Sequence, residues 1–428
     1  MSRQHTPVLA VVAVVLLASA VVRADEELAA RTVTLPEALD LLASQNPDNL
    51  GARLQVEAAQ AEHLGAKLFP NPSLSLDANN FAVGHTNPAG LSTGETVGGT
   101  VRIDQPLVLW GKRDLRIAGA EAGVVTAQAE ARDTLRQLRA AVKVAFYDSL
   151  HDERQLAFVL DNQKRYQEIV SLNERRFESG DISEAELRKI QLEQLKYHAQ
   201  VADAQRGLVE SRELLGRLLG IGSAVAASGQ FAAPPAMIEG ADLLAAAFAN
   251  RADWAALQHE REQAASALEL ARRERYPDVS VGVDYTRSQF VTSGDNRNTL
   301  GFGFSVPLPL FNQNQAQIAK ADIALRQADN RLVRLRLDIA QEVQTTVAAY
   351  RAAQRLQQTF EGGYLDRAKI TVDAAEASYR IGAASLIELL DAERTYTSTQ
   401  TDYLDTVFAA RSTLTHLEKA IGKDLDGN

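Results

Sequence analysis

The sequence predicts a mainly α-helical protein with a small β part, built from one unit used twice, and three observations lead there. First, the chain repeats itself at an offset of about 202 residues: Gly180 pairs with Gly382, Ser183 with Ser385, Glu186 with Glu388 and Leu187 with Leu389. Further markers recur, with Pro106-Leu107 answered by Pro307-Leu308, Tyr147 by Tyr350, and Leu219-Gly220 by Ile421-Gly422. Second, no proline interrupts the stretch from Lys112 to Glu178, which at 1.5 Å per residue makes a helix about 100 Å long. Third, aromatic residues are only 6% of the 428-residue chain and alanine is abundant, a composition suited to long, closely packed helices.

The elements follow in order. Arg3, an apolar run from Pro7 to Val22 and small residues up to Ala24 read as a secretory leader, residues 1–24. The first repeat, 25–220, opens with a half helix from Leu35 to about Lys67, with Pro36 and Glu37 in its first turn and Pro70 and Pro72 beyond its end. A hairpin over 73–107 follows, alternating at Ser73-Leu74-Ser75-Leu76 and again at Val97, Gly99, Val101 and Ile103. The long helix at 112–178, a sharp turn at 179–183 and a half helix to Leu219 complete the unit. Residues 221–239, with Gly222, Gly229 and Pro234-Pro235, read as a linker. The second repeat, 240–422, has a half helix to Tyr276 and a hairpin over 278–309 with Val279, Val281, Val283 and Tyr285, then Phe302 and Phe304 between glycines. Its long helix is expected to run to about 380, followed by a turn at 381–385, a half helix to Ala420 and a tail at 423–428. Ile318, Ala321, Leu325, Ala328, Leu332, Leu335 and Ile339 alternate three and four apart, a sustained coiled-coil seam.

Four strands per chain are too few for a membrane barrel, which needs about eight. Open strand edges are not tolerated in lipid. If these are membrane strands, the chain must be an oligomer, and a homotrimer pools twelve strands and twelve helical rows. A soluble four-stranded sheet capping a coiled-coil bundle is the competing architecture. The absence of cysteine excludes disulfides, thiolate metal sites, a cysteine nucleophile and a lipid anchor attached at a leader cysteine. The net charge of −10 becomes −12 once Arg3 and Arg23 leave with the leader, so nucleic acid is not an expected partner. No catalytic constellation stands out. The seven histidines look scattered, without ligand spacing, and methionine occurs only at Met1 and Met237, so no metal site and no cofactor is expected.

Leu35-Pro36-Glu37-Ala38-Leu39, Asn46-Pro47, Gln105-Pro106-Leu107, the two Gly-x-x-Ser turns and Pro307-Leu308-Pro309-Leu310-Phe311, in this order on a duplicated layout, resemble the TolC-type outer-membrane efflux family. Asn71-Pro72-Ser73-Leu74-Ser75-Leu76 with Asn80-Phe81, Gly111-Lys112-Arg113 and Phe311-Asn312-Gln313-Asn314-Gln315 are similar to its cobalt-zinc-cadmium branch. The resemblance implies a trimeric α-helical barrel continuing a shared 12-strand β-barrel in outer-membrane lipid. It further implies a periplasmic adaptor and an inner-membrane pump of the resistance-nodulation-division type as partners, divalent heavy-metal cations as cargo, and a passive duct rather than an enzyme. A drug or protein exit duct of the same family, and a periplasmic coiled-coil protein without a pore, are the alternatives.

The resemblance also assigns the turns. Glu388 and Asp391, three apart and so on one helix face, match positions where the family places acidic residues at a periplasmic aperture, with Glu186 as the repeat counterpart of Glu388. Tyr379 matches a tyrosine that ties the closed aperture. Its basic partner, expected two positions after Gly382, is Ala384 here, and Arg176 and Arg380 are the substitutes at hand. Gly180, Ser183, Gly382 and Ser385 match the tips that meet the adaptor. A plainer role competes at several of these positions: Ser183 with Glu186, and Ser385 with Glu388, are spaced as capping boxes, and both glycines as helix enders.

Overall fold

The computed structural model describes residues 31–86, 89–234, 242–291 and 294–425. The leader expected at 1–24 and part of the linker lie outside them. In chain order the elements are β1 (Arg31–Val33), α1 (Leu35–Gln45), α2 (Pro47–Ala66), β2 (Ser73–Asn79), the single turn α3 (Thr93–Thr96), β3 (Gly98–Leu107), α4 (Lys112–Glu178), α5 (Glu184–Leu218) and β4 (Val225–Ala227). There follow α6 (Leu243–Asn250), α7 (Ala252–Arg273), β5 (Val279–Ser288), β6 (Asn298–Ser305), α8 (Gln315–Glu361), α9 (Tyr364–Arg380) and α10 (Leu386–Ile421). The fold is mainly α with a small β part.

The chain divides into two compact units. One holds residues up to Gly51, Arg132–Arg251 and Asp338 onward; the other holds Ala52–Ala131 and Ala252–Leu337. The second unit contains an antiparallel sheet in the order β2-β3-β5-β6. Its register aligns Leu76 with Val101, Val101 with Tyr285, and Tyr285 with Leu300, while Ile103, Val283 and Phe302 form a parallel row. Because side chains alternate across a strand, these rows merge into one apolar face, and that face is open: Leu76, Phe302 and Phe304 are 71%, 82% and 80% exposed. The opposite face carries Arg102, whose Nε donates to Asp104 at 2.8 Å and whose Nη1 lies 3.7 Å from Asp284. The glycines there make room for the charges, since a Cβ on Gly282 would sit 2.2 Å from Asp104 Oδ1.

In the first unit, Val33, Ala38, Leu42, Val142, Phe146, Leu215, Leu219 and Val225 form a buried core shared by α1, α4, α5 and the β1–β4 pair. That parallel pair, Val33 beside Ala227, was not anticipated: three residues are too few to show alternation, and Val225–Ala227 fell inside the expected linker.

Three helices expected to be continuous are broken. The first half helix stops at Asn46, whose ψ of 126° is extended, because Pro47 lacks an N–H and crowds the residue before it. The half helix of the second repeat breaks at Arg251, ψ 121°, with no proline nearby. The long helix that was to reach 380 stops at Gly362-Gly363, where Gly363 takes φ 91°, a left-handed conformation that glycine adopts without a Cβ penalty.

The first two breaks are the same device. Asn46 Nδ2 donates to the Leu218 carbonyl at 2.8 Å, and Arg251 Nη1 to the Ala420 carbonyl at 3.1 Å. Leu218 and Ala420 are repeat counterparts, each at the end of a helix with carbonyls that have no partner within the helix. Gly220 and Gly422 follow them with positive φ, and a Cβ there would lie 2.6 Å from the Gln45 carbonyl oxygen and 3.0 Å from Asn250 backbone atoms. A broken helix thus docks on a helix end in each repeat.

Candidate functional site at the two helical turns

Both turns are built by one backbone scheme. At the first, Gly180 has φ 81°, its N–H donates to Phe177 O, and Asp181 N–H reaches back to Arg176 O at 2.8 Å. At the second, Gly382 has φ 75°, its N–H donates to Tyr379 O, and Ala383 N–H reaches Ser378 O at 2.8 Å. This pattern ties off the last carbonyls of α4 and α9, and it needs a left-handed residue where each glycine stands. Ser183 and Ser385 then start α5 and α10 as N-caps. Ser183 Oγ accepts from Glu186 N–H at 3.2 Å while Glu186 Oε2 accepts from Ser183 N–H at 2.9 Å. Ser385 and Glu388 do the same at 3.3 and 2.7 Å. Backbone hydrogen bonds from the serines hold both glutamates below the ordinary carboxylate range. Glu186 and Glu388 are therefore capping residues in this chain, exposed but turned to their own backbone.

Asp391 has no cap to serve. It is exposed on α10, within electrostatic reach of Arg394, whose Nη2 pairs with Glu193 at 3.0 Å. Its repeat counterpart is the exposed Lys189.

Tyr379 is placed differently from the acids. It is 6% exposed in a buried cluster with Tyr166, Ile169, Val170, Ile190, Tyr197, Leu389 and Leu390. Its hydroxyl donates to Asn173 Oδ1 at 2.6 Å, and Asn173 Nδ2 donates to Ile169 O at 2.7 Å. Tyr166 stacks on Tyr197 with centroids 4.4 Å apart, and burial pushes both phenols above their ordinary pKa. Of the two arginines at hand, Arg176 is the one that holds Tyr379. Its guanidinium lies 5.0 Å over the ring and donates to the carbonyls of Tyr379 at 3.1 Å and Arg380 at 2.8 Å. Arg380 turns instead to Glu376 and, at 3.6 Å, Glu168. Arg176 therefore fastens the end of α9 to the last turn of α4.

Sequence reasoning missed two groups. Glu393, two residues beyond Asp391, is 3% exposed with Oε1 lacking a hydrogen-bond partner, and burial raises its pKa. Nothing in its surroundings in sequence signals that burial. The second group is on α4, where Asp148, His151 and Asp152 fall together, half-buried. His151 is held between Asp152 and Asp405 at 3.0 and 2.9 Å. Burial by itself lowers its pKa, but the hydrogen bonds to the two aspartates together with their charges outweigh it and leave it raised. The signal was available: His151 and Asp152 stand three and four residues after Asp148, the spacings that bring side chains beside it on a helix.

The profile of the family described as "Outer membrane efflux protein" matches residues 38–221 and 243–423. The chain belongs to this family. It is 24% identical over 397 residues to the cobalt-zinc-cadmium resistance protein CzcC of Cupriavidus metallidurans, covering 92% of this chain and 91% of that one. It is 23% identical over 422 residues to the pyoverdine export outer membrane protein OpmQ of Pseudomonas putida, covering 91% and 85%. A crystal structure of CusC superposes with a TM-score of 0.75 over 91% of this chain and 92% of that one, at 20% identity.

Proposed function

We propose that this outer membrane efflux protein works as a homotrimer, the passive exit duct of a three-component system that ejects divalent heavy-metal cations. The observation that carries the pore is the sheet. One face is apolar and open, the other bears the Arg102, Asp104 and Asp284 charges over glycines, and β2 and β6 are edges with one neighbour each. A strand set that is greasy outside and charged inside suits a wall between lipid and water, and its edges call for partners. Among the described residues no helix is long and apolar enough to cross a membrane. Three copies give twelve strands, enough for a closed barrel.

At the turns, Asp391 from three chains would ring an aperture, drawing cations and resisting closure by mutual repulsion. The turns at Gly180–Ser183 and Gly382–Ser385, exposed and rigidly capped, are the surfaces offered to a periplasmic adaptor, with a resistance-nodulation-division pump beyond it. The metal cargo rests on the similarity to CzcC over nearly the whole chain. Similarity of comparable extent to OpmQ supports the second reading, a duct for small organic molecules. The experiment that separates them is a host deletion tested against zinc, cobalt, cadmium and a panel of antibiotics. Sensitivity to the metals alone supports metal efflux; sensitivity to antibiotics alone refutes it.

A further inference from the structure

A cluster of possible cation ligands lies on α4, away from the turns. Asp148, His151 and Asp152 lie at spacings of three and four on one helix face, with ligand atoms all within 4.8 Å of one another. His151 Nδ1 faces Asp152 Oδ1 at 3.0 Å, and Nε2, on the opposite edge of the ring, faces Asp405 Oδ1 of α10 at 2.9 Å. We propose that Asp148, His151 and Asp152 bind one borderline divalent cation of the Zn²⁺ or Co²⁺ kind, with Asp405 holding the imidazole from behind.

Four features support this. A neutral imidazole has one N–H for two carboxylates; with Nε2–H given to Asp405, Nδ1 presents its lone pair toward Asp152, an arrangement that a cation between them satisfies. Two ligands each about 2.0–2.1 Å from a tetrahedral zinc sit about 3.3 Å apart, close to the observed Nδ1 to Oδ1 separation. A metal-binding histidine characteristically donates its other N–H to a carboxylate, which sets the tautomer and aims the lone pair; Asp405 is in that position. Asp148 adds a third donor, half-buried and with no Lys or Arg ion pair among the described residues.

The setting is also suitable. Phe408 and Phe231 pack on the His151 ring, with centroids 5.5 and 6.1 Å away. Asp152 lines a groove whose polar side chains, among them Gln155, Gln200 and Asp203, offer an approach for a hydrated ion. One nitrogen and two carboxylate oxygens suit Zn²⁺ or Co²⁺ and not soft monovalent ions, which favour sulfur. Through Asp405 the ion would brace α4 against α10. This assignment stands on the local geometry and does not depend on the cargo of the duct.

The test is titration of the purified full-length protein in detergent with Zn²⁺ alone, read by calorimetry, with Co²⁺ absorption as a second probe. One ion per chain is expected, with affinity falling more than about tenfold in His151→Gln and about tenfold or more in Asp405→Asn. His259→Ala, at a half-buried histidine of α7, should match the wild type. Circular dichroism checks that each variant is folded, and Asp148→Asn decides if His151→Gln is not. No saturable binding in the wild type, or unchanged binding in the folded His151→Gln or Asp148→Asn variant, overturns the proposal.

Discussion

The two helical turns share a backbone and differ in charge, and the difference separates scaffold from function. Gly180 and Gly382, Ser183 and Ser385, Glu186 and Glu388 superimpose in role: a left-handed helix end, an N-cap, and a carboxylate returned to the cap amide. What duplication kept is what the turn demands. The positions that diverged carry no such duty: Lys189 stands where Asp391 does, and Glu178 where Arg380 does. Repeat identity at Glu388 is thus evidence for capping, and Asp391 is the stronger aperture candidate because nothing structural accounts for it.

The largest effect should come from breaking that contrast at its charged positions. Asp391→Ala removes three carboxylates from the proposed ring and should weaken block of the channel by multivalent cations at least about tenfold, about 1.4 kcal/mol. Lys189→Ala should leave block unchanged. Equal effects would erase the distinction between the turns. Next, Arg176→Ala releases the end of α9 from α4 and should cost about 1–2 kcal/mol locally. Faster hydrogen exchange at 376–384 and a raised leak conductance would reveal it; an unchanged closed-state conductance removes Arg176 as a latch.

Smaller and symmetric effects belong to the shared scaffold. Ser183→Ala and Ser385→Ala should each cost about 1 kcal/mol, measured as equal losses of amide protection at α5 and α10. A markedly larger loss at one turn would mean that its cap does more than end a helix. The smallest effect is a pH dependence. Glu186 and Glu388 have folded-state pKa values below the ordinary 4.5, so their contribution is present above that value and fades as pH falls through the lowered folded value. Protection of the first turns of α5 and α10 should decline together on acidification, and the serine variants should flatten the decline. Protection that rises on acidification would contradict the sign.

Local pairings were legible in the sequence because donor and acceptor sit three residues apart, as in both capping boxes. Alternation and proline spacing likewise marked the strands and the uninterrupted α4. What stayed hidden depends on distant partners. Arg251 breaks its helix without a proline because the end of α10 docks there, and Tyr379 meets Arg176 and Asn173 across more than 200 residues. The break at Gly362-Gly363 was readable, since paired glycines give up helix propensity on adjacent positions. The coiled-coil period upstream masked it. His151 was overlooked because Asp405 lies 254 residues away, although Asp148 one turn before it and Asp152 beside it were in view.

The central claim is that the free edges β2 and β6 meet those of neighbouring copies to close a barrel. The absence of native cysteine allows a clean measurement: cysteine pairs placed singly along β2 and β6, followed by oxidation and denaturing electrophoresis of protein extracted from membranes. Covalent dimers and trimers, no larger, from a subset of pairs in antiparallel register are predicted. A protein that is soluble without detergent and stays monomeric for every pair would contradict the account.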